Sequence, residues 1–179
     1  RAEVNTNFEV VASELARLTR TLDDFVLLAK PTELAQTACD LEGVLDDTLA
    51  LFAHEFGQTG VRLERQGAGP LPVAGDRDRL SQVFANIVRN SLQAMPEGGT
   101  LSVTQASDGG VARVAFADTG PGLPSATLHR LFEPYISTKA AGLGLGLALS
   151  LKIVEAHGGS IAVANRPEGG ALVTVALPL

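Results

Sequence analysis

The stretches Asp118-Thr-Gly-Pro-Gly122 and Gly142-Leu-Gly-Leu-Gly146-Leu147 are two glycine clusters about twenty residues apart. The first follows residues 111–117, whose alternating and β-branched side chains predict a strand. Asp118 therefore ends a strand, and the glycines after it permit a tight turn and close approach of a ligand to the backbone. The second cluster begins an apolar run up to His157 that predicts a helix, whose first N–H groups can bind an anion. Together the clusters predict one site for a planar polar base and for phosphates.

Two other glycine-rich sites do not match this pattern. A P-loop requires Gly-Lys followed by Ser or Thr after four spacer residues, and the sequence contains none. A dinucleotide-binding turn requires a strand directly before the glycines, whereas residues 137–141 have the composition of a loop. Taken by themselves, the glycines are explained equally well by a flexible connection. The intervening segment, residues 125–141, is long enough to serve as a lid.

Composition excludes several classes of protein. Of the 179 residues, 45% are hydrophobic but only 4% are aromatic, so the chain can bury a core that must be mainly aliphatic. The net charge of −6 argues against nucleic-acid binding. The single Cys39 excludes an intrachain disulfide, and no run is long enough for a membrane span, so we expect a cytoplasmic domain. Because the chain begins at Arg1 rather than Met, we expect a fragment, and a transmembrane segment upstream remains open.

The first thirty residues carry a heptad seam. Its apolar side chains are spaced alternately by four and three positions, at Val4, Phe8, Val11, Leu15, Leu18, Leu22, Phe25 and Ala29. This spacing predicts one long helix, ended by Pro31, that packs against partner helices in a coiled coil or bundle. The alternative is a helix that lies on its own domain. We assign residues 1–30 to this helix and residues 31–179 to a separate domain.

The second domain alternates between strand and helix patterns. Asp40 and Asp76 are predicted N-caps of helices that run to His54 and to about Met95, and a third helix covers residues 145–157. Short strands are predicted near residues 36–39, 61–65, 71–74, 101–104, 113–116, 161–164 and 172–177. The fold class is therefore α+β: a two-layer α/β sandwich with a mixed, mostly antiparallel sheet and helices on one face.

Two asparagines stand out on the helix capped by Asp76. Asn86 and Asn90 are four residues apart, so they share a face. One interpretation is that each side chain bonds a neighbouring loop. The other is that their amide oxygens are ligands of Mg²⁺, which prefers a few protein oxygens together with water and the phosphates of its ligand.

Four motifs, in this order, resemble those of the sensor histidine kinases of two-component systems. Residues 86–94 are similar to the N box, residues 118–122 to the G1 box, residues 131–135 to the F box and residues 142–147 to the G2 box. Each motif is short, but their combination over residues 76–178 is highly specific.

Two finer resemblances accompany these motifs. Residues 86–93 and 134–139 are most similar to the nitrogen- or dicarboxylate-regulation branch of the family. Residues 1–30 resemble the second helix of the family's dimerisation and phosphotransfer hairpin.

The resemblance implies a Bergerat-type fold of the GHKL superfamily with ATP and Mg²⁺ as cofactors. Asp118 would accept a hydrogen bond from the adenine amino group, and Phe132 and Tyr135 would anchor the lid. Asn86, Asn90 and Lys139 would be the catalytic residues: the asparagines would hold Mg²⁺, and the lysine would reach the γ-phosphate. The implied nucleotide-binding residues are Asn90, Gln93, Asp118, Gly120, Gly122, Phe132, Tyr135, Lys139, Gly142, Leu143, Gly144, Leu145, Gly146 and Leu147.

The resemblance also implies a reaction and partners. The γ-phosphate would pass to a histidine on the first hairpin helix, upstream of Arg1, and then to an aspartate of a response regulator. The full-length protein would be a homodimer through its N-terminal helix, and this fragment would not phosphorylate itself.

Alternatives remain within the same superfold. A hydrolytic ATPase of the GHKL type usually carries Glu where Asn86 stands, and a degenerate nucleotide-binding scaffold would have lost Asn90, Asp118 or the glycines. Two departures from the kinase pattern are Gln93, in place of a common basic residue, and Ala171, in place of a common Ser or Thr.

The chain's three histidines are predicted to have no part in the chemistry. His54 and His129 are expected on the surface, and His157 is expected as a cation at the end of a helix.

Overall fold

The computed structural model describes most of the chain after residue 32. The described residues are 33–67, 69–136 and 144–179, together with Leu15, Thr19, Leu22, Phe25, Val26 and Leu28. Three of the predicted site residues, Lys139, Gly142 and Leu143, lie outside the described residues.

The helices and strands follow the predicted order. They are β1 (Thr37–Asp40), α1 (Leu41–Leu51), α2 (Ala53–Thr59), β2 (Val61–Gln66), β3 (Pro72–Gly75), α3 (Arg77–Ala94), β4 (Gly99–Asp108), β5 (Val111–Asp118), α4 (Ser125–Leu128), α5 (Gly146–Ala156), β6 (Ser160–Asn165) and β7 (Ala171–Pro178). Among the helices of the described ranges, none combines the length and the apolar composition needed to cross a bilayer.

One five-stranded sheet organises the domain. Its strand order is β2-β4-β5-β7-β6, with β2 parallel to β4 and all other neighbours antiparallel. A separate two-stranded antiparallel sheet joins β1 to β3. The predicted mixed, mostly antiparallel α/β architecture is therefore confirmed.

The alternation of side chains along β5 decides where Asp118 points. Ala112, Val114 and Phe116 are buried, while their neighbours along the strand are not. The ring of Phe116 packs on that of Phe84 from α3, with centroids 5.7 Å apart. Because successive strand residues face opposite sides, Asp118 falls on the same helix-covered face. The carboxylate is thus carried into the interior by the register of the strand.

The N-terminus of α3 is capped as predicted. Asp76 accepts hydrogen bonds from the backbone N–H of Arg79 at 3.1 Å and of Ala35 at 3.0 Å. Burial by itself raises the pKa of Asp76, but these backbone donors outweigh it and hold that pKa below its ordinary value. The cap therefore joins α3 to the segment that leads into β1.

His157 differs from its prediction as a helix-terminal cation. It does end α5, but only 5% of its surface is exposed. Its Nε2 accepts a hydrogen bond from the backbone N–H of Asp76 at 3.0 Å, and its Nδ1 lies 2.7 Å from the carbonyl oxygen of Ile153. An acceptor nitrogen carries no proton, and a nitrogen facing a carbonyl must donate, so the ring is neutral with its proton on Nδ1. The prediction of a cation is wrong, because the ring joins two helix ends inside the domain.

The helix that Asp40 caps is divided in the structure. It was expected to run to His54, but α1 ends at Leu51 and α2 begins at Ala53. Phe52, between them, is buried, and the guanidinium of Arg89 lies 5.5 Å from the centroid of its ring. No Pro or Gly marks this position, so the division comes from packing against α3 rather than from a local breaker.

The described residues before Pro31 are helical. Three of them belong to the heptad seam, and the exposed fractions of Leu15, Leu22 and Phe25 are 59%, 64% and 51%. Leu28 packs against the domain core, and its carbonyl oxygen accepts a hydrogen bond from Lys152 Nζ at 2.8 Å. The assignment of residues 1–30 to a separate dimerisation helix stays a prediction, and exposed seam positions are consistent with it.

We predict that His157→Ala destabilises the domain by about 1–3 kcal/mol, because the half-buried N–H of Asp76 loses its acceptor and the buried imidazole is removed. His129→Ala is the matched control, since His129 is exposed. Urea unfolding followed by circular dichroism measures both variants. Equal midpoints for the two variants would contradict the structural role of His157.

Candidate functional site

The Asp118 carboxylate is buried, with 5% of the residue exposed, and is surrounded by donors. Its Oδ1 accepts hydrogen bonds from the backbone N–H of Gly120 and of Ala171, both at 3.0 Å. Its Oδ2 accepts a longer hydrogen bond from Ser91 Oγ at 3.4 Å. Three donors offset the desolvation of the carboxylate and fix its orientation. One oxygen is thus committed to the backbone, while the other retains capacity to accept from a ligand.

The turn between β6 and β7, residues 166–170, holds the backbone around this carboxylate. Arg166 Nη1 donates to the carbonyl oxygen of Asp118 at 2.8 Å. Asn165, at the end of β6, donates from Nδ2 to the carbonyl of Leu123 and accepts at Oδ1 from its N–H, both at 2.8 Å. The two bonds imitate a pair of strand hydrogen bonds and tie the end of the first glycine cluster to the turn.

Sequence reasoning missed Asn165 and Arg166. The two residues lie between the strands predicted near residues 161–164 and 172–177, but nothing in the local pattern indicated that this segment would lie against residues 118–123. Arg166 also pairs with Glu168, which lowers the pKa of that carboxyl below its ordinary value through a side-chain hydrogen bond. The arginine is therefore held on both sides.

Gly170 is required by the close approach of two backbones. A Cβ atom built on it would lie 1.9 Å from the carbonyl oxygen of Asp118, and its φ is +90°. Any side chain would displace the backbone that carries the carboxylate.

Helix α3 presents its asparagines near the same edge. Asn86 and Asn90 are half-buried, and Ser91, directly after Asn90, reaches the Asp118 carboxylate. Asn86 Nδ2 donates to Ser150 Oγ of α5 at 3.0 Å. Gln93 is exposed. The helix thus connects the carboxylate at one point with the start of α5 at another.

The described part of the second glycine cluster leads into α5. Gly144 has a φ of +69°, Leu145 is buried, and the helix begins at Gly146 without a side-chain cap. The N–H groups of the first turn therefore lack an intrahelical acceptor and a capping side chain, which is the arrangement that binds anions. Leu147 lies half-buried in that turn.

The segment between the clusters is described as far as residue 136. Leu131 is buried and Phe132 packs partly against the core, as an anchor would. Tyr135 has 63% of its surface exposed and a φ of +67°. This packing is consistent with an anchoring role for Phe132. The side chain of Tyr135 is not packed against the core in the same way.

The donor set favours neutral oxygen ligands. In the described residues, no group of three or more His, Cys, Asp or Glu side chains could hold a metal ion. The amides of Asn86 and Asn90 suit a hard cation that brings phosphate oxygens and water with it. The two amide side chains therefore fit a Mg²⁺ ion that is delivered with a nucleotide.

The chain is similar in sequence to a known family of ATPases. Residues 75–179 match the family of histidine kinase-, DNA gyrase B-, and HSP90-like ATPases. The chain belongs to this ATPase family. Its relatives include Sensor histidine kinase ZraS of Escherichia coli (strain K12), 37% identical over 172 residues that cover 96% of this chain and 37% of that protein. Similarity to such relatives identifies the chain as a histidine kinase catalytic ATP-binding domain. Its assignment to the nitrogen- or dicarboxylate-regulation branch stays a prediction.

Solved structures agree with this assignment. The catalytic domain of histidine kinase ThkA in a nucleotide-free form has a TM-score of 0.74 and 30% identity, covering 82% of this chain and 96% of that one. ThkA in complex with response regulator protein TrrA has a TM-score of 0.78 and 27% identity, covering 94% of this chain and 49% of that chain. The chain spans between about a quarter and two fifths of the length of the first curated relatives it matches.

We predict that Gly170→Ala lowers stability more than Gly169→Ala. Both glycines have φ near +90° to +100°, so the strain of a left-handed backbone is common to both variants. Only the Cβ at Gly170 meets Asp118, since nothing lies within 4 Å of one at Gly169. The difference in unfolding free energy should be about 1–3 kcal/mol. Equal losses of unfolding free energy in the two variants would show that stability does not depend on the close approach of the Gly170 and Asp118 backbones.

Proposed function

We propose that this chain is the ATP-binding module of a sensor histidine kinase, which donates the γ-phosphate of ATP to a histidine. The observation that carries the proposal is the buried Asp118 carboxylate, which Gly120, Ala171 and Ser91 orient next to a helix with two asparagines. An oriented acceptor in a protected site discriminates adenine, whose amino group donates, from bases that present an acceptor there.

The remaining groups divide the work on the phosphates. Asn86 and Asn90 would hold Mg²⁺, which supplies charge neutralisation to the triphosphate when bound. The first turn of α5, with Gly144, Leu145, Gly146 and Leu147, would receive phosphate oxygens on backbone N–H groups. Gly142, Leu143 and Lys139 would complete the phosphate contacts. Gly120 and Gly122 would let the nucleotide approach the backbone next to Asp118. Gln93 would also bind the nucleotide, at a position where a basic residue would contact a phosphate.

Phosphoryl transfer needs positioning more than covalent chemistry, and this chain supplies positioning groups. Hydrolysis as the main reaction would require a base to activate water. The residue at position 86 is Asn rather than Glu, and an amide cannot accept that proton. Transfer to another protein group is therefore favoured over hydrolysis.

The acceptor histidine is proposed to lie outside this chain. His157 is buried with both ring nitrogens in hydrogen bonds. His54, on α2, and His129, directly after α4, are exposed and lie outside the seam. In the full-length protein, the exposed seam would form a homodimeric bundle that carries the acceptor. The phosphate would then pass to a response regulator, a partner class supported by the complex of ThkA with TrrA.

Asp118→Asn tests the adenine contact. The amide can keep the bonds from Gly120 and Ala171 with its oxygen, but it replaces the second acceptor oxygen with a donor. A hydrogen bond to a charged group contributes roughly 1.5–3 kcal/mol, so ATP affinity should fall about tenfold or more. Isothermal titration calorimetry measures the affinity. The control is Asp108→Asn, an exposed carboxylate at the opposite end of the β4–β5 pair. Unchanged ATP affinity in Asp118→Asn would refute the assignment.

Incubation with labelled ATP and Mg²⁺ tests the location of the acceptor. We expect this chain to bind the nucleotide without forming an acid-labile, base-stable phosphoryl group, because none of its histidines combines exposure with an orienting partner. A separately supplied acceptor hairpin that pairs with the seam should become labelled. Robust labelling of His54, His129 or His157 would overturn the proposed division between this chain and the acceptor.

A further inference from the structure

Three residues join α3 to the first turn of α5, and we name them the α3–α5 clamp: Asn86, Gly146 and Ser150. Ser150 is buried, with 2% of its surface exposed. Its hydroxyl donates to the carbonyl of Gly146 at 2.9 Å and accepts from Asn86 Nδ2 at 3.0 Å. The serine therefore lies between the asparagine and the backbone at the start of α5.

The direction of these bonds fixes the orientation of the asparagine. A hydroxyl has one proton, and that of Ser150 is used on the Gly146 carbonyl. The group of Asn86 that faces Ser150 must therefore be the amide nitrogen, which places Oδ1 on the other side. Without the hydroxyl, nothing among these contacts would distinguish the two ends of the carboxamide.

Gly146 shows how close that oxygen lies to α5. A Cβ atom built on Gly146 would be 2.3 Å from Asn86 Oδ1. Gly146 does not have a positive φ, so its backbone conformation is open to any residue. The last glycine of the second cluster is thus required for contact with Asn86, rather than for an unusual backbone.

We infer that Ser150 is a positioning residue for the proposed metal–nucleotide site. It holds the Asn86 carboxamide so that Oδ1 faces the start of α5, where the phosphates of a bound nucleotide would meet both the amide oxygen and the first-turn N–H groups. This inference rests on the proposed function. A clamp that only packs two helices would stabilise the fold and would have no influence on the response of nucleotide binding to Mg²⁺.

The test uses Ser150→Ala and Ser150→Thr in the whole chain, with ATP affinity measured by calorimetry in Mg²⁺ and again in EDTA. Ser150→Ala should weaken binding about five- to tenfold in Mg²⁺ and less than about twofold in EDTA, the size expected for one hydrogen bond. Ser150→Thr keeps the hydroxyl and should restore the parent affinity. A hollow of about 190 Å³ between the helices is lined in part by Asn86 and Ser150.

A double variant separates positioning from general loosening. If Ser150 acts through Asn86, then Asn86→Ala combined with Ser150→Ala should lose no more affinity in Mg²⁺ than Asn86→Ala alone. In unfolding experiments, Gly146→Ala should cost stability in the parent and little in the Asn86→Ala background, because its Cβ collides with the asparagine oxygen.

The outcomes are distinct. An affinity loss in Ser150→Ala that is equal in Mg²⁺ and EDTA, additive losses in the double variant, or no recovery in Ser150→Thr would each overturn the inference. If the parent chain binds Mg-ATP and Ser150→Ala binds it with the same affinity, the inference about Ser150 is wrong but the proposed function stands. A parent that binds no ATP at all would refute the proposed function, and the inference with it.

Discussion

The buried carboxylate of Asp118 is the constraint on which the rest of the site depends. Burying an ionised carboxylate costs several kcal/mol unless hydrogen-bond donors replace the lost water. Here the donors come from Ser91 on α3, Gly120 in the following turn and Ala171 at the start of β7. Three distant parts of the chain must therefore be in place before the charge is tolerated. Because one oxygen is saturated by backbone N–H groups, the same requirement that stabilises the charge also orients it.

A second set of contacts depends on the crossing of α3 and α5. Asn86 approaches Gly146 so closely that no side chain fits between them, and Ser150 bonds to both. At the other end of α5, His157 accepts from the N-cap residue of α3. The two helices are thus joined at both ends of α5, once by neutral side-chain amide and hydroxyl groups and once by a neutral imidazole. Only the amide and hydroxyl connection lies at the start of α5, and it adds no charge next to the site proposed for a polyanion.

Several features could be predicted because they depend on local rules. The strand that ends at Asp118 follows from side-chain alternation, and the cap at Asp76 follows from the preference of Asp for the N-cap position. The Asn86–Asn90 pair follows from the helical repeat. Other features could not be predicted, because they depend on partners remote in sequence. Examples are the division between α1 and α2 at buried Phe52, the neutral state of His157 and the contact of Arg166 with the Asp118 carbonyl.

The sequence by itself determined the type and order of the elements, the aliphatic core, and the four motifs that identify a histidine kinase ATP-binding domain. These are properties of neighbouring residues, so propensity, periodicity and spacing suffice to indicate them. Only the tertiary structure decided which groups satisfy Asp118, why Gly146 cannot carry a side chain, and which end of the Asn86 amide faces α5. Each of these requires a distance between atoms on different elements. Such distances arise from the packing of helices on a twisted sheet, which the order of residues along the chain does not contain.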